Sequence, residues 1–148
     1  MSTKDFTFTT RVGYTGGSFS IPHFAHYNFF RLCKEYCDYL IVSLNTDEFI
    51  KSYKGKPPEF SYSQRVEILS KCPYIDKIIP NVGGADSKPA ILSVNPDIVI
   101  IGQDWLEKDY CKQMGFSAQW LTDNNISLLY LPHTDGITAT LIRRKLNL

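Results

Sequence analysis

The chain reads as an α/β domain on a five-stranded parallel sheet, and two observations carry that reading. Nearly continuous apolar runs alternate with stretches of helical spacing, in the order β-α-β-α-β-α-β-α-β-α, along 148 residues. Repeated units of this kind require parallel strands, right-handed crossovers and helices on both faces. The second observation is a short first strand, 11–15, that ends in Gly16 and Gly17 and feeds the start of a helix. A strand passing through glycines into a helix N-terminus exposes backbone N–H groups where the helix dipole favours negative charge. That is a phosphate cradle.

Each element has its own signal. Residues 24–36 place Phe29, Phe30, Leu32, Cys33 and Tyr36 at helical spacing. Residues 38–44 form an apolar run expected of a strand covered on both faces. Thr46, Asp47 and Glu48 then cap a short helix, with acidic groups in its first turn. The stretch 51–61 holds Lys51, Lys54, Gly55, Lys56, Pro57 and Pro58 and is expected to be irregular. A helix restarts at 63–69 and stops near Cys72 and Pro73; 75–80 is a third strand, and a helix from about Ser87 leads into a fourth, 97–101, closed by Gly102. A fifth strand, 126–131, precedes a last helix from Thr138 to Leu146. In such sheets ligands bind beyond the carboxyl ends of strands, where strand order reverses. Gly16 and Gly17, the segment Gly102-Gln103-Asp104, and Pro132-His133 all follow strands, so all three open on one edge.

Bulk properties bound the rest. A chain that is 43% hydrophobic and 21% charged has the balance of a globular domain, and its length allows a full core, so 1–148 reads as one domain with a polar tail at 1–9. The net charge of +1 gives no signal for a nucleic-acid partner. No run approaches the roughly 18 apolar residues of a membrane span, and the first residues lack a signal-peptide pattern. Cys33, Cys37, Cys72 and Cys111 are irregularly spaced, with no CxxC pair. They read as small buried side chains rather than metal ligands or disulfides, and a reducing cytoplasm is expected.

The histidines say most about chemistry. His23 and His26 stand three apart at the start of the first helix, and His133 lies just before the last. One histidine at such a place reads as a helix cap or a core residue. Two at this spacing, behind glycines and a buried strand, favour a site that donates hydrogen bonds to charge on phosphorus. Lys51, Lys54 and Lys56 read either as a solvated face or, with Pro57 and Pro58 stiffening the exit, as a segment that closes over a triphosphate. Asp104 either caps the next helix or reaches ribose or base, and Trp105 either joins the core or shapes the nucleoside pocket. The segment 106–125 adds helical packing, an acceptor wall or an oligomer interface.

At this point the chain resembles the nucleotidyltransferase superfamily with the HxGH signature, in particular the small glycerol-3-phosphate cytidylyltransferases. Gly17-Ser18-Phe19-Ser20-Ile21-Pro22-His23-Phe24-Ala25-His26 resembles the GTFDxxHxGH turn, and Asp38 to Phe49 its second strand and cap. Lys54-Gly55-Lys56 falls at the Lys-rich loop, Tyr62 to Arg65 at the Arg-bearing helix, and Asp97 to Trp105 at DxxxxGxDW. His133-Thr134-Asp135-Gly136-Ile137-Thr138-Ala139-Thr140 is similar to the closing RTEGISTT motif. Four of the departures bear on the chemistry. Ser20 stands for the family's Asp, which removes a carboxylate. Ala25 stands for Gly, which costs little in helical backbone. Ala139 replaces a hydroxyl. His133 replaces an Arg, exchanging a permanent fork-shaped cation for a group mostly neutral at pH 7.

The resemblance implies a Rossmann-like fold with strand order 3-2-1-4-5. It implies transfer of CMP from CTP to a small phosphorylated alcohol such as glycerol 3-phosphate, with release of pyrophosphate, Mg²⁺ accompanying the triphosphate, and a homodimer. Catalysis would rest on His23, His26 and Lys56. Nucleotide binding would involve Gly16, Gly17, Ser18, Phe19, Lys54, Arg65, Gly102, Asp104, His133, Thr134, Gly136, Ile137, Thr138 and Thr140; Arg65 is favoured over Arg143 and Arg144 because it aligns with a family Arg. The alternatives are a relative using ATP or another acceptor (a different polyol phosphate, a phosphocholine-like molecule or a phosphonate) and a non-catalytic nucleotide-binding module.

Overall fold

A computed structural model describes residues 10–102, 115–131 and 144–146. Five strands form one parallel sheet: β1 (Val12–Gly17), β2 (Tyr39–Leu44), β3 (Lys77–Pro80), β4 (Ile98–Gly102) and β5 (Ser127–Leu131). Their spatial order is β3-β2-β1-β4-β5, the order expected. The helices are α1 (Phe24–Cys33), α2 (Asp47–Lys54), α3 (Tyr62–Leu69), α4 (Lys88–Val94) and α5 (Ala118–Asp123).

The apolar runs are strands because both of their faces are covered. Leu40, Val42 and Leu44 of β2, with Ile98 and Ile100 of β4, pack with Phe30 and Cys33 of α1 and Leu69 of α3. On the opposite face, Val99 and Ile101 of β4 and Tyr14 of β1 pack with Ala90 and Ile91 of α4 and Leu121 of α5. Residue parity along each strand thus sends alternate side chains into two separate cores. Cys33, Cys37 and Cys72 are buried free thiols within the first of them.

Several boundaries differ from those expected. Gly16 and Gly17 belong to β1, in register with Ser43 and Leu44 of β2, and the ladder runs on as Asn45 N–H donates to Gly17 O at 2.9 Å. The turn itself is therefore Ser18 to Pro22, and the residue there with left-handed backbone is Phe19, at φ 46°. The stretch expected to be irregular from Lys51 begins only after Lys54. Thr46 Oγ1 caps Phe49 N–H, Asp47 and Glu48 sit at the positive end of α2, and Lys51 and Lys54 sit at its negative end. Gly55 stops the helix at φ 82°, with its N–H donating to Lys51 O at 2.8 Å. A residue with a Cβ would be strained in that cap. Helix α1 is shorter than 24–36, because its chain tightens into i→i+3 bonds from Glu35 to Leu32 and Tyr36 to Cys33.

The sheet positions a site through one local feature. The β1–β4 ladder pairs Gly13 with Ile98 and Tyr14 with Val99 and goes no further, although β1 runs to Gly17 and β4 to Gly102. Beyond Tyr14, β1 follows β2, and beyond Val99, β4 follows β5. The two central strands therefore part at their carboxyl ends. This is where the strand order reverses, the place where such sheets hold ligands.

Candidate active site

The turn between β1 and α1 delivers both histidines to that edge. His23 is the N-cap of α1 in extended backbone, φ −150° and ψ 180°, and its Nδ1 accepts from Ala25 N–H at 3.2 Å. His26 Nδ1 accepts in return from His23 N–H at 3.2 Å. The pair forms a capping box made of imidazoles, and the i, i+3 spacing read in the sequence is the spacing such a box requires. The rings stack at 3.7 Å between centroids with 25° between planes. Phe19 closes the far side of His26, edge to face at 4.9 Å, and itself rests on Phe30 at 5.3 Å. Those contacts hold Phe19 in a backbone conformation that costs about 1–2 kcal/mol for an L-residue other than glycine.

Both rings are neutral at pH 7. Partial burial lowers the pKa of His23 below the ordinary imidazole value. Burial, reinforced by the neighbouring His23, brings His26 down to about 3. Each Nδ1 accepts from a backbone N–H, so each ring carries its proton on Nε2 and keeps a single N–H donor outside the cap. Neither histidine is placed to serve as a cation. They form a fixed pair of neutral donors.

A pH dependence of stability follows. Folding depresses the pKa of His26 from 6.5 to about 3, so between those values the unfolded chain binds more protons than the native one. Stability is fully present above pH 6.5 and falls as the pH drops toward 3, with a slope of up to about 1.4 kcal/mol per pH unit. His26→Asn keeps an acceptor for His23 N–H and removes the titration. Chemical denaturation between pH 4 and pH 7, values set by the window about 3 to 6.5, should show a shallower slope for that variant than for wild type. Parallel slopes would mean that His26 does not carry this term.

A hydrogen-bond network that the sequence did not announce braces the turn. Asn45 Nδ2 donates to Ser18 Oγ at 2.9 Å, and Tyr53 Oη lies 2.6 Å from the same oxygen. Asn81 Nδ2 donates to Asn45 Oδ1 at 2.8 Å and to Gly84 O at 2.9 Å. The side chains thus run across the carboxyl ends of β1, β2 and β3. Asn45 and Asn81 each directly follow a strand, and that position was the available signal.

Arg65 lies beneath this network. It is 0% exposed, and its guanidinium donates to Ser18 O at 2.7 Å, Asn45 O at 2.9 Å and Phe60 O at 3.1 Å. Its remaining arm pairs with Asp47 Oδ1 at 2.8 Å, while Asp47 Oδ2 accepts from Tyr62 N–H at 3.1 Å. The structure therefore places Arg65 under the turn, with its donors engaged by protein, rather than on the open edge. Lys54 closes α2 and Lys56 follows two residues later, both exposed. Ser20 is buried, and among the described residues its hydroxyl has no partner. Gly102 ends β4, in register with Leu131 of β5. Asp104, Trp105, His133, Thr134, Gly136, Ile137, Thr138 and Thr140 lie outside the described residues, as do Cys111 and most of the final helix expected from 138 to 146.

A parallel sheet of this order with a His-x-x-His capping turn at its switch point defines a class, and the chain belongs to the cytidylyltransferase-like family, which it matches over residues 14–145. It is accordingly an enzyme of the nucleotidyltransferase class with a Rossmann-like fold. Among curated relatives, it is 32% identical over 133 residues to the glycerol-3-phosphate cytidylyltransferase of Bacillus subtilis (strain 168), covering 89% of this chain and 94% of that one. It is 36% identical over 89 residues to the FAD synthase of Pyrococcus abyssi (strain GE5 / Orsay), covering 60% of each. In fold it is similar to the lipopolysaccharide core biosynthesis protein of Thermoplasma volcanium GSS1, with a TM-score of 0.70 at 22% identity, over 86% of this chain and all of that one.

Proposed function

We propose that this chain transfers CMP from CTP to a small phosphorylated alcohol of the glycerol 3-phosphate kind and releases pyrophosphate. The observation that carries this reading is the pair of neutral, backbone-locked imidazoles at the switch point. The long match to a glycerol-3-phosphate cytidylyltransferase supports the nucleotide and the acceptor class.

An acceptor phosphate oxygen attacks the α-phosphorus of CTP in line. Its lone pair forms the new P–O bond while the bond from the α-phosphorus to the α,β-bridging oxygen breaks, and that electron pair leaves on pyrophosphate. Negative charge rises on the α-phosphoryl oxygens and the bridging oxygen. Nε2–H donors of His23 and His26 would stabilise that charge without first shedding or gaining a proton. Gly16, Gly17 and Ser18 would bring backbone close to the phosphates, with Phe19 setting the turn. Lys54 and Lys56 would hold the β- and γ-phosphates, and Gly102 and Asp104 would border the nucleoside. His133, Thr134, Gly136, Ile137, Thr138 and Thr140 would bind the phosphate tail near the last helix. Arg65 would act through Ser18 and Asn45, whose carbonyls it holds.

The donors at the turn are imidazoles, hydroxyls and N–H groups, and the carboxylate tied to it, Asp47, is engaged by Arg65 and Tyr62. Such a set fits Mg²⁺ carried by triphosphate oxygens rather than caged by protein. Mg²⁺ bound in that way would neutralise triphosphate charge. Among the described residues no helix is long and apolar enough to cross a membrane, and the free thiols Cys33, Cys37 and Cys72 support a cytoplasmic setting. We carry the homodimer over as part of the same proposal.

Pyrophosphate release from CTP with Mg²⁺ and a panel of phosphorylated alcohols and phosphonates tests the reading. The partial match to FAD synthase favours ATP as the second possibility, so ATP is run beside CTP. Use of ATP with CTP ignored would overturn the cytidylyl assignment, and tight CTP binding without turnover on any acceptor would indicate a binding module. Within the same assay, Lys56→Ala should raise the KM for CTP about tenfold, the worth of one charge-assisted hydrogen bond. Lys54→Ala should raise it less. Wild-type kinetics for both variants at physiological salt would leave the lysines as a solvated surface.

A further inference from the structure

We infer that Tyr53 is a positioning residue, a latch that docks the lysine-bearing end of α2 onto the phosphate turn. The inference rests on the proposed nucleotide site. Tyr53 is 51% exposed, so core packing does not account for where its ring lies. Its hydroxyl nevertheless reaches 2.6 Å from Ser18 Oγ, across 35 residues of sequence. The next residues are Lys54, the left-handed cap Gly55, and Lys56. That contact ties the segment carrying both lysines to the turn that carries the histidines.

Two further contacts make this a fastening rather than a chance approach. One turn earlier on the same face of α2, Phe49 packs on Tyr53 at 5.0 Å between centroids. Phe49 also rests on Gly84, where a Cβ would come within 3.2 Å of its ring and φ is +61°. Gly84 O in turn receives Asn81, which holds Asn45, which holds Ser18. The helix is thus pinned at both ends of one hydrogen-bonded chain.

The chemistry of Ser18 gives the latch a consequence for substrate. Asn45 Nδ2 already donates to Ser18 Oγ. When the Tyr53 phenol donates as well, both lone pairs of that oxygen are used and the Ser18 proton is left for an anionic oxygen. Removing the phenol frees Ser18 to turn and frees the Lys54–Lys56 end to swing away.

Tyr53→Phe deletes one oxygen and keeps the ring on Phe49. The expected result is a rise of about fivefold in KM for CTP with kcat within about twofold of wild type, the loss of one net hydrogen bond to a binding segment. Combined with Ser18→Ala, the effects should be non-additive, because both variants remove the same bond. A third measurement needs no substrate: the Gly55 amide, which bonds to Lys51 O, should exchange hydrogen faster in Tyr53→Phe. Unchanged KM together with unchanged Gly55 exchange, or additive effects with Ser18→Ala, would overturn the latch. If wild type turns over no CTP, the proposed function fails, and amide exchange still decides the latch by itself.

Discussion

His23→Ala and His26→Ala should each lower turnover at least about 100-fold, on the order of 3 kcal/mol of transition-state stabilisation. Each change removes a neutral Nε2–H donor from a preorganised pair whose rings stack at 3.7 Å. It also removes half of a capping box, and the two effects can be separated. His23→Asn restores an N-cap acceptor for Ala25 N–H but offers no donor at the Nε2 position. It should recover the roughly 1 kcal/mol of stability lost in His23→Ala and remain as slow as the alanine variant. A fast, stable His23→Asn would make the imidazole a cap and nothing more. Because both rings are neutral at pH 7, their contribution to turnover should also be flat from pH 7 upward. A falling limb there would have to come from another group.

The second large effect is expected at Arg65. Truncation to alanine opens a cavity and strips partners from Ser18 O, Asn45 O, Phe60 O and the Asp47 carboxylate at once. Opening that cavity and stranding several carbonyls at once should cost about 3–5 kcal/mol, most of it from packing and lost hydrogen bonds rather than from the pair with the partly exposed Asp47. For a chain of this size that is a drop in Tm on the order of 10 °C. Arg65→Lys keeps the charge but cannot reach all four acceptors with one ammonium, so it should recover only part of the loss. Denaturation separates this reading from direct nucleotide contact. If Arg65→Ala kept wild-type stability and only raised the KM for CTP, Arg65 would belong on the open edge after all.

Arg65 also shows where reading a sequence stops. Its alignment with a family arginine marks it as important, and its place in the run 63–69 marks it as helical. Neither says which way the guanidinium faces. That depends on carbonyls up to 47 residues away in sequence, which come to it only once β1 and β2 are in register. The same holds for Asn45, Asn81 and Tyr53, whose bonds span 27 to 36 residues. A polar residue just after a strand is too common to single out before the strand order is known.

The glycines teach the converse. Gly16 and Gly17 read as a turn because glycine is the usual turn signal, yet the ladder to Ser43 and Leu44 draws them into the strand. The left-handed step falls instead on Phe19, which nothing in its side chain favours. Packing against His26 and Phe30 decides it. Lys51 and Lys54 were masked in a similar way by the prolines and Gly55 that follow, while the capping that extends α2 lies several residues earlier, at Thr46.

What the sequence determined by itself is the set of properties with a local cause. Runs of apolar residues specify strands covered on both faces, 3.6-residue spacing specifies the crossovers, and His-x-x-His behind the glycines marks the start of the first helix as the place of a site. The parallel direction of the strands follows from these, because helical crossovers require it, whereas the order 3-2-1-4-5 came with the family resemblance. Tertiary structure alone decided the protonation of the histidines, the inward face of Arg65 and the braces on Ser18. Each of those depends on burial or on a partner distant in sequence, and both exist only after the sheet has closed and its central strands have parted.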